Sequence, residues 1–134
     1  METADRPAAP AAVVLFGHGS RDPRWTEPFE AVRAAVERQA PGAVVRLAYL
    51  EHSTPGLDAV VAALAGEGHR EVTLVPLFLG AGAHVRHDIP AQAAGVAARY
   101  GVALQVAPFI GDAPAVIDAI ARHVASTASG SSGL

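Results

Sequence analysis

Apolar and polar positions along the chain follow two alternating periods. Four short apolar or β-branched runs, at 12–16, 43–49, 72–79 and 103–109, are each long enough for a strand. Between and after them, apolar residues return every three or four positions, the spacing of a helix with one buried face. Residues 27–39 place Phe29, Val32 and Val36 on one side. Residues 56–65 fit the i, i+3, i+4, i+7 template with Leu57, Val60, Val61 and Leu64. A third segment, 89–100, aligns Ile89, Ala93, Val96, Ala97 and Tyr100, with Asp88 as N-cap and Pro90 in the first turn. The last, 114–125, aligns Ile117, Ile120, Ala121 and Val124, with Asp112 as its cap.

Strands that are apolar almost throughout, alternating with helices, predict an α/β fold: a four-stranded parallel sheet with helices on both faces. Gly66-Glu67-Gly68 and Tyr100-Gly101 stand where helices should end. Pro76 interrupts the third run, since it has no N–H for the ladder, and predicts a bulge or an early strand end. In such sheets ligands bind beyond the carboxyl ends of the strands, where the winding order switches. The residues just after each run are therefore the place to look for chemistry.

Size and composition narrow the classes. A chain of 134 residues makes one domain, and with 51% apolar and 17% charged residues it can bury a core. The expected organisation is a flexible segment over 1–11, a single α/β domain over 12–125 and a flexible Ser/Gly tail over 126–134. Cysteine is absent, which excludes disulfide scaffolds, thiolate metal sites and cysteine nucleophiles. All ten basic residues are arginine against thirteen acids, a formal charge of -3, so no broad positive face offers itself to nucleic acid. The start lacks the basic and apolar stretches of a secretory signal, and no run is long enough for a membrane span. A cytoplasmic location is the expectation.

Read at the strand ends, the loops carry Gly17-His18-Gly19-Ser20-Arg21, then Glu51-His52, then Gly80-Ala81-Gly82-Ala83-His84-Val85-Arg86-His87-Asp88. Any one of His18, Glu51 and His84 could be a turn brace or a solvated strand-end group. An imidazole, a carboxylate and a second imidazole at one rim can together hold a divalent first-row metal with positions left open. Arg21, Arg24 and Arg86 in the same loops suit bidentate recognition of carboxylates, or they pair with Asp22, Asp88 or Glu27. Trp25 and Phe78 read as packing residues, His69 and His123 as surface residues, and His52 and His87 stay open. The glycines around His18 lack the lysine of a nucleotide P-loop, and Ser20 does not sit in a nucleophile elbow.

Gly-His-Gly-Ser-Arg at 17–21, Tyr-Leu-Glu at 49–51, and Val-Pro-Leu-Phe-Leu-Gly-Ala-Gly-Ala-His-Val-Arg-His-Asp-Ile-Pro at 75–90 resemble the small sirohydrochlorin chelatases. These are the CbiX-type enzymes, related to the type II chelatases and built on a flavodoxin-like half-unit. The resemblance runs over 12–124. It implies an ATP-independent lyase that inserts cobalt or ferrous iron (nickel in some relatives) into sirohydrochlorin, in cobalamin or siroheme synthesis. His18, His84 and Glu51 would be the catalytic and metal-handling groups, and Ser20, Arg21, Arg24 and Arg86 would bind the peripheral carboxylates. No permanent cofactor is implied; cobalt or iron is the metal substrate. His52 and His87 depart from residues common in the family.

Larger relatives carry two such units in one chain. A second Gly-His-Gly or Ala-His-Val block is absent here, and because the small family members work as pairs the resemblance implies a homodimer with the tetrapyrrole near its interface. Two other readings remain compatible with the same residues: a metal or tetrapyrrole carrier without catalysis, and one half of a hetero-oligomer.

Overall fold

The structure, a computed structural model, describes residues 11–129. The segment expected to be flexible, save Ala11, and residues 130–134 of the expected tail lie outside the described residues. Among the described residues the order is β1 (Ala12–Gly17), α1 (Glu27–Gln39), β2 (Val44–Tyr49), α2 (Leu57–Gly66), β3 (Glu71–Pro76), α3 (Ala83–Tyr100), β4 (Ala103–Val106) and α4 (Pro114–Ser129). Short 3-10 turns stand at Pro23–Thr26 and Ile110–Asp112. The predicted parallel α/β architecture is the one found, with strand order β2-β1-β3-β4. The chain leaves β1 toward β2 and later leaves β3 toward β4, so the winding direction reverses between β1 and β3.

Side-chain alternation divides the core by face. Ala12, Val14, Phe16, Val72 and Leu74 point to one side, where they meet Leu57, Val60, Val61 and Leu64 of α2 and Ile89, Ala93 and Val96 of α3. Leu15, Val45, Leu47 and Tyr49 lie in the cluster on the other side, with Trp25, Phe29 and Val36 of α1 and its approach. Tyr100 Oη donates to Asp58 at 2.7 Å, and Arg99 pairs with the same carboxylate, which ties α3 to α2.

Several boundaries depart from expectation for physical reasons. Helix α3 begins at Ala83, with Gly82 as N-cap, and Pro90 lies inside it. Asp88 and Pro90 imitate a helix start, but Val85 packs on the same core as Ile89 one turn later and draws the first turn into the helix. The 80–88 segment is therefore a short loop followed by helix. Strand β3 stops at Pro76, as the missing N–H predicted, and β4 stops at Val106, before Pro108. Asp112 sits in a 3-10 turn and its carboxylate is taken by Arg86 rather than left to cap α4. Helix α4 continues through Ser129, into the stretch expected to be tail. Its apolar stripe has the predicted spacing but is exposed: Ile117, Ile120 and Val124 are 47%, 40% and 56% accessible. His69, expected at the surface, is buried in the turn between α2 and β3. No helix among the described residues is long and apolar enough to cross a membrane.

Candidate active site

The register of β1 determines what meets at the rim. Phe16 is level with Ala48 on one side and Pro76 on the other, so all three strands reach their carboxyl ends together. Pairing then runs on past the strands. Leu50 N–H donates to Gly17 at 2.9 Å, Glu51 N–H to His18 at 3.0 Å, and Leu77 N–H to Phe16 at 2.8 Å. Gly111 N–H in turn donates to Phe78 at 3.1 Å, joining the loop after β4 to the one after β3. The four loops are thus knitted by backbone bonds before any side chain is considered.

His18 and Glu51, named from the sequence, meet as this backbone pairing requires: Nε2 lies 2.9 Å from Oε2. Both side chains are about half exposed, 47% and 51%. The hydrogen bond from His18 holds the Glu51 carboxyl below the ordinary glutamate range. An ionised carboxylate can only accept, so the shared hydrogen belongs to Nε2 of His18. In the neutral ring the Nδ1 lone pair is then unused, the arrangement in which an imidazole serves as ligand or proton acceptor while a carboxylate fixes its tautomer. Phe78, buried, lies 5.9 Å from the His18 ring and Phe109 lies 5.8 Å beyond, so the imidazole stands over an aromatic floor.

Gly19 makes this approach possible. Its φ is +101°, and a Cβ there would lie 1.6 Å from the Glu51 carbonyl oxygen. Opposite it, Ser53 Oγ accepts from Ser20 N–H at 3.0 Å and donates to the Ser20 carbonyl at 2.9 Å. That clip was not foreseen; its only sequence trace is a small polar residue two places after Glu51. His52 holds a positive φ of 66° and brings Nε2 to 3.9 Å from Glu51 Oε2. It therefore belongs beside the pair.

The other expected residues are placed differently. His84 stands in the first turn of α3, 89% exposed, with Nε2 3.0 Å from Asp88 Oδ2. It does not gather with His18 and Glu51, and no group of three metal-ligating side chains forms among the described residues. Arg24 pairs with Asp22, which also accepts its backbone N–H. Arg86 is gripped through both carboxylate oxygens of Asp112, at 2.9 and 3.1 Å, donates Nε–H to the Ala81 carbonyl, and lies 4.8 Å over the Phe109 ring. This grip holds the Asp112 carboxyl below its usual range. Arg21 makes no hydrogen bond or ion pair among the described residues. Trp25 packs on Phe29 at 4.4 Å and edge-on to Tyr49, a packing role as expected.

Comparison with known proteins places the fold in a family. The family model described as CbiX matches residues 12–127. The sirohydrochlorin cobaltochelatase of Methanosarcina acetivorans is 33% identical over 78 residues, 58% of this chain and 60% of that protein. The sirohydrochlorin ferrochelatase of Bacillus subtilis is 30% identical over 89 residues, 66% of this chain and 34% of that protein. The matched part thus spans less than two thirds of these curated relatives. The crystal structure of a CbiX protein assigned to cobalamin (vitamin B12) biosynthesis in Marinobacter aquaeolei VT8 superposes with a TM-score of 0.80 at 36% identity. It covers 90% of this chain and 98% of that one.

Two outcomes follow from the geometry. Gly19→Ala forces both a disfavoured φ and a backbone collision, so it should destabilise the fold by about 2–3 kcal/mol in chemical denaturation. The Glu51 carboxyl, followed by NMR across an acid titration, should ionise below an ordinary glutamate, and in His18→Ala its midpoint should rise. Because the folded value is the lowered one, the stability the pair supplies is present above the ordinary carboxylate range. It is lost as pH falls through the folded value.

Proposed function

The chain belongs to the CbiX family, and on that premise we propose that it inserts a divalent metal, cobalt or ferrous iron, into sirohydrochlorin without ATP. The observation that carries this reading is the His18–Glu51 pair at the carboxyl ends of β1 and β2, with arginines in the surrounding loops. The relatives' names, sirohydrochlorin cobaltochelatase and ferrochelatase, supply the substrate class and leave the metal open between the two.

Insertion exchanges one divalent ion for two pyrrole protons, so the site has to accept protons, shed water from the ion and hold a polyacidic macrocycle. His18 offers Nδ1 to a proton or to the metal, and Glu51 orients the ring and offsets positive charge. His84, exposed in the first turn of α3, supplies a second imidazole from the helix that follows β3. Arg21 is the primary carboxylate clamp because it has no hydrogen-bond or ion-pair partner to displace among the described residues. Arg86 keeps two of its five N–H donors unused after Asp112 and Ala81, and the pairing of Arg24 with Asp22 can open at the surface. Ser20 Oγ accepts from Asp22 N–H, which leaves its own hydroxyl hydrogen for the ligand. Two chains related by a two-fold axis would enclose the tetrapyrrole between their rims.

The assay is anaerobic mixing of the protein with sirohydrochlorin and Co(II) or Fe(II), followed by the absorption change of the macrocycle. Acceleration over the protein-free rate is expected with one or both metals; none with either would overturn the reading in favour of a carrier. His18→Ala should lower the turnover rate by about 100-fold or more while circular dichroism remains unchanged. Arg21→Ala should raise KM for the tetrapyrrole about tenfold, about 1.4 kcal/mol, with little effect on kcat.

A further inference from the structure

His52, directly after Glu51, stands in a backbone conformation that a residue with a side chain rarely adopts. Its φ is +66°, and every other positive φ among the described residues belongs to a glycine. Ser53 N–H donates across it to the Glu51 carbonyl at 2.8 Å, so Glu51, His52 and Ser53 close a three-residue turn of the rare, strained kind. Glycine would hold the same turn without the steric cost of a Cβ. The surroundings sustain that cost from two sides. Ser53 Oγ is clipped to the backbone of Ser20, and the Glu51 carbonyl lies against Gly19. Strain held in place this way, beside reactive groups, points to a use for the side chain that bears it.

The turn decides where the imidazole goes. On an extended segment consecutive side chains point to opposite faces, so Glu51 and His52 would face apart. Here His52 Nε2 lies 3.9 Å from Glu51 Oε2, the same oxygen that His18 Nε2 holds at 2.9 Å. One ring arrives from the loop after β1, the other from the loop after β2. The His52 side chain is also the least exposed of the three. One carboxylate oxygen thus has a hydrogen-bonded imidazole and a second one just beyond hydrogen-bond distance.

We propose that His52 is a positioning residue for metal insertion: its ring keeps the Glu51 carboxylate turned toward His18, and the strained turn is the device that puts the ring there. Glu51 is half exposed on a side chain of several rotatable bonds, and water competes for it. A single bond from an equally exposed imidazole holds such a group loosely. A second N–H donor beside the same oxygen narrows its freedom, and neutral His52 supplies one from Nε2. The fixed carboxylate in turn keeps the hydrogen of His18 on Nε2 and its Nδ1 lone pair available. The kinetic consequence rests on the proposed function; the effect on the His18 tautomer is read without metal or tetrapyrrole.

His52→Gly is the decisive variant, because glycine keeps the turn and deletes the ring. Its midpoint in chemical denaturation should equal or exceed that of the unmodified chain. In substrate-free protein the ¹⁵N shifts of His18 should report one tautomer, with hydrogen on Nε2, and in His52→Gly they should move toward a mixture of the two. Turnover in the anaerobic insertion assay should fall about tenfold with KM for sirohydrochlorin unchanged. His52→Gln returns an uncharged N–H donor at similar reach and should restore the tautomer and most of the rate, at some cost in stability. A His52→Gly chain with the tautomer and turnover of the unmodified protein would overturn the proposal and leave His52 a turn residue. So would a loss of turnover that tracks a lowered midpoint, or a His52→Gln chain no better than His52→Gly. If the unmodified chain accelerates no insertion, the proposed function fails, and the His18 tautomer in the substrate-free variants still decides the role of His52.

Discussion

The parallel register of β1 with both neighbours is the constraint on which the rest of the molecule depends. With Phe16 level with Ala48 and Pro76, three chain segments leave the sheet at one height, and the ladder continues into their loops. A one-residue slip would turn every side chain of β1 to the opposite face, exchanging the cluster under α1 for the one under α2 and α3. It would also part Glu51 N–H from the His18 carbonyl, and with it the imidazole from the carboxylate. Core packing and rim chemistry are therefore set by one alignment. Pro76 marks its end, since a residue without an N–H can close a central strand but not extend it.

Beyond that alignment the rim is assembled by small devices of differing reach. Gly19 lets two loops touch at backbone distance, Ser53 clips the first loop to the second, and Asp112 reaches back to Arg86 from the far side of β4. Histidines 18 and 84 each lie against a carboxylate through Nε2, but on separate elements, one in a loop and one on a helix. The loop histidine is held by backbone on both sides; the helical one is exposed and secured only within its own turn.

Much of this was legible from residue order. The four helices, the buried faces of α2 and α3 and the nearness of His18 to Glu51 follow from periodicity and from the rule that parallel strands present their ends together. The start of α3 was misread because Asp88 and Pro90 satisfy the local grammar of an N-terminus, whereas the tertiary contact of Val85 decided the matter. The grip of Asp112 on Arg86 spans 26 positions, and the burial of His69 depends on how a turn folds beneath it. Neither leaves a local signature. The stripe on α4 was equally readable, but periodicity records that a face is apolar and is silent on whose surface it meets.

The pairing of charges at the rim has a kinetic consequence. Arg24 is matched by Asp22 and Arg86 by Asp112, so little net field reaches into solvent from these pairs. A polyanion approaching them is drawn by directional donors at close range rather than steered over distance. Its rate of encounter with this rim therefore varies little with ionic strength, in contrast to proteins that collect anionic ligands with an extended positive surface.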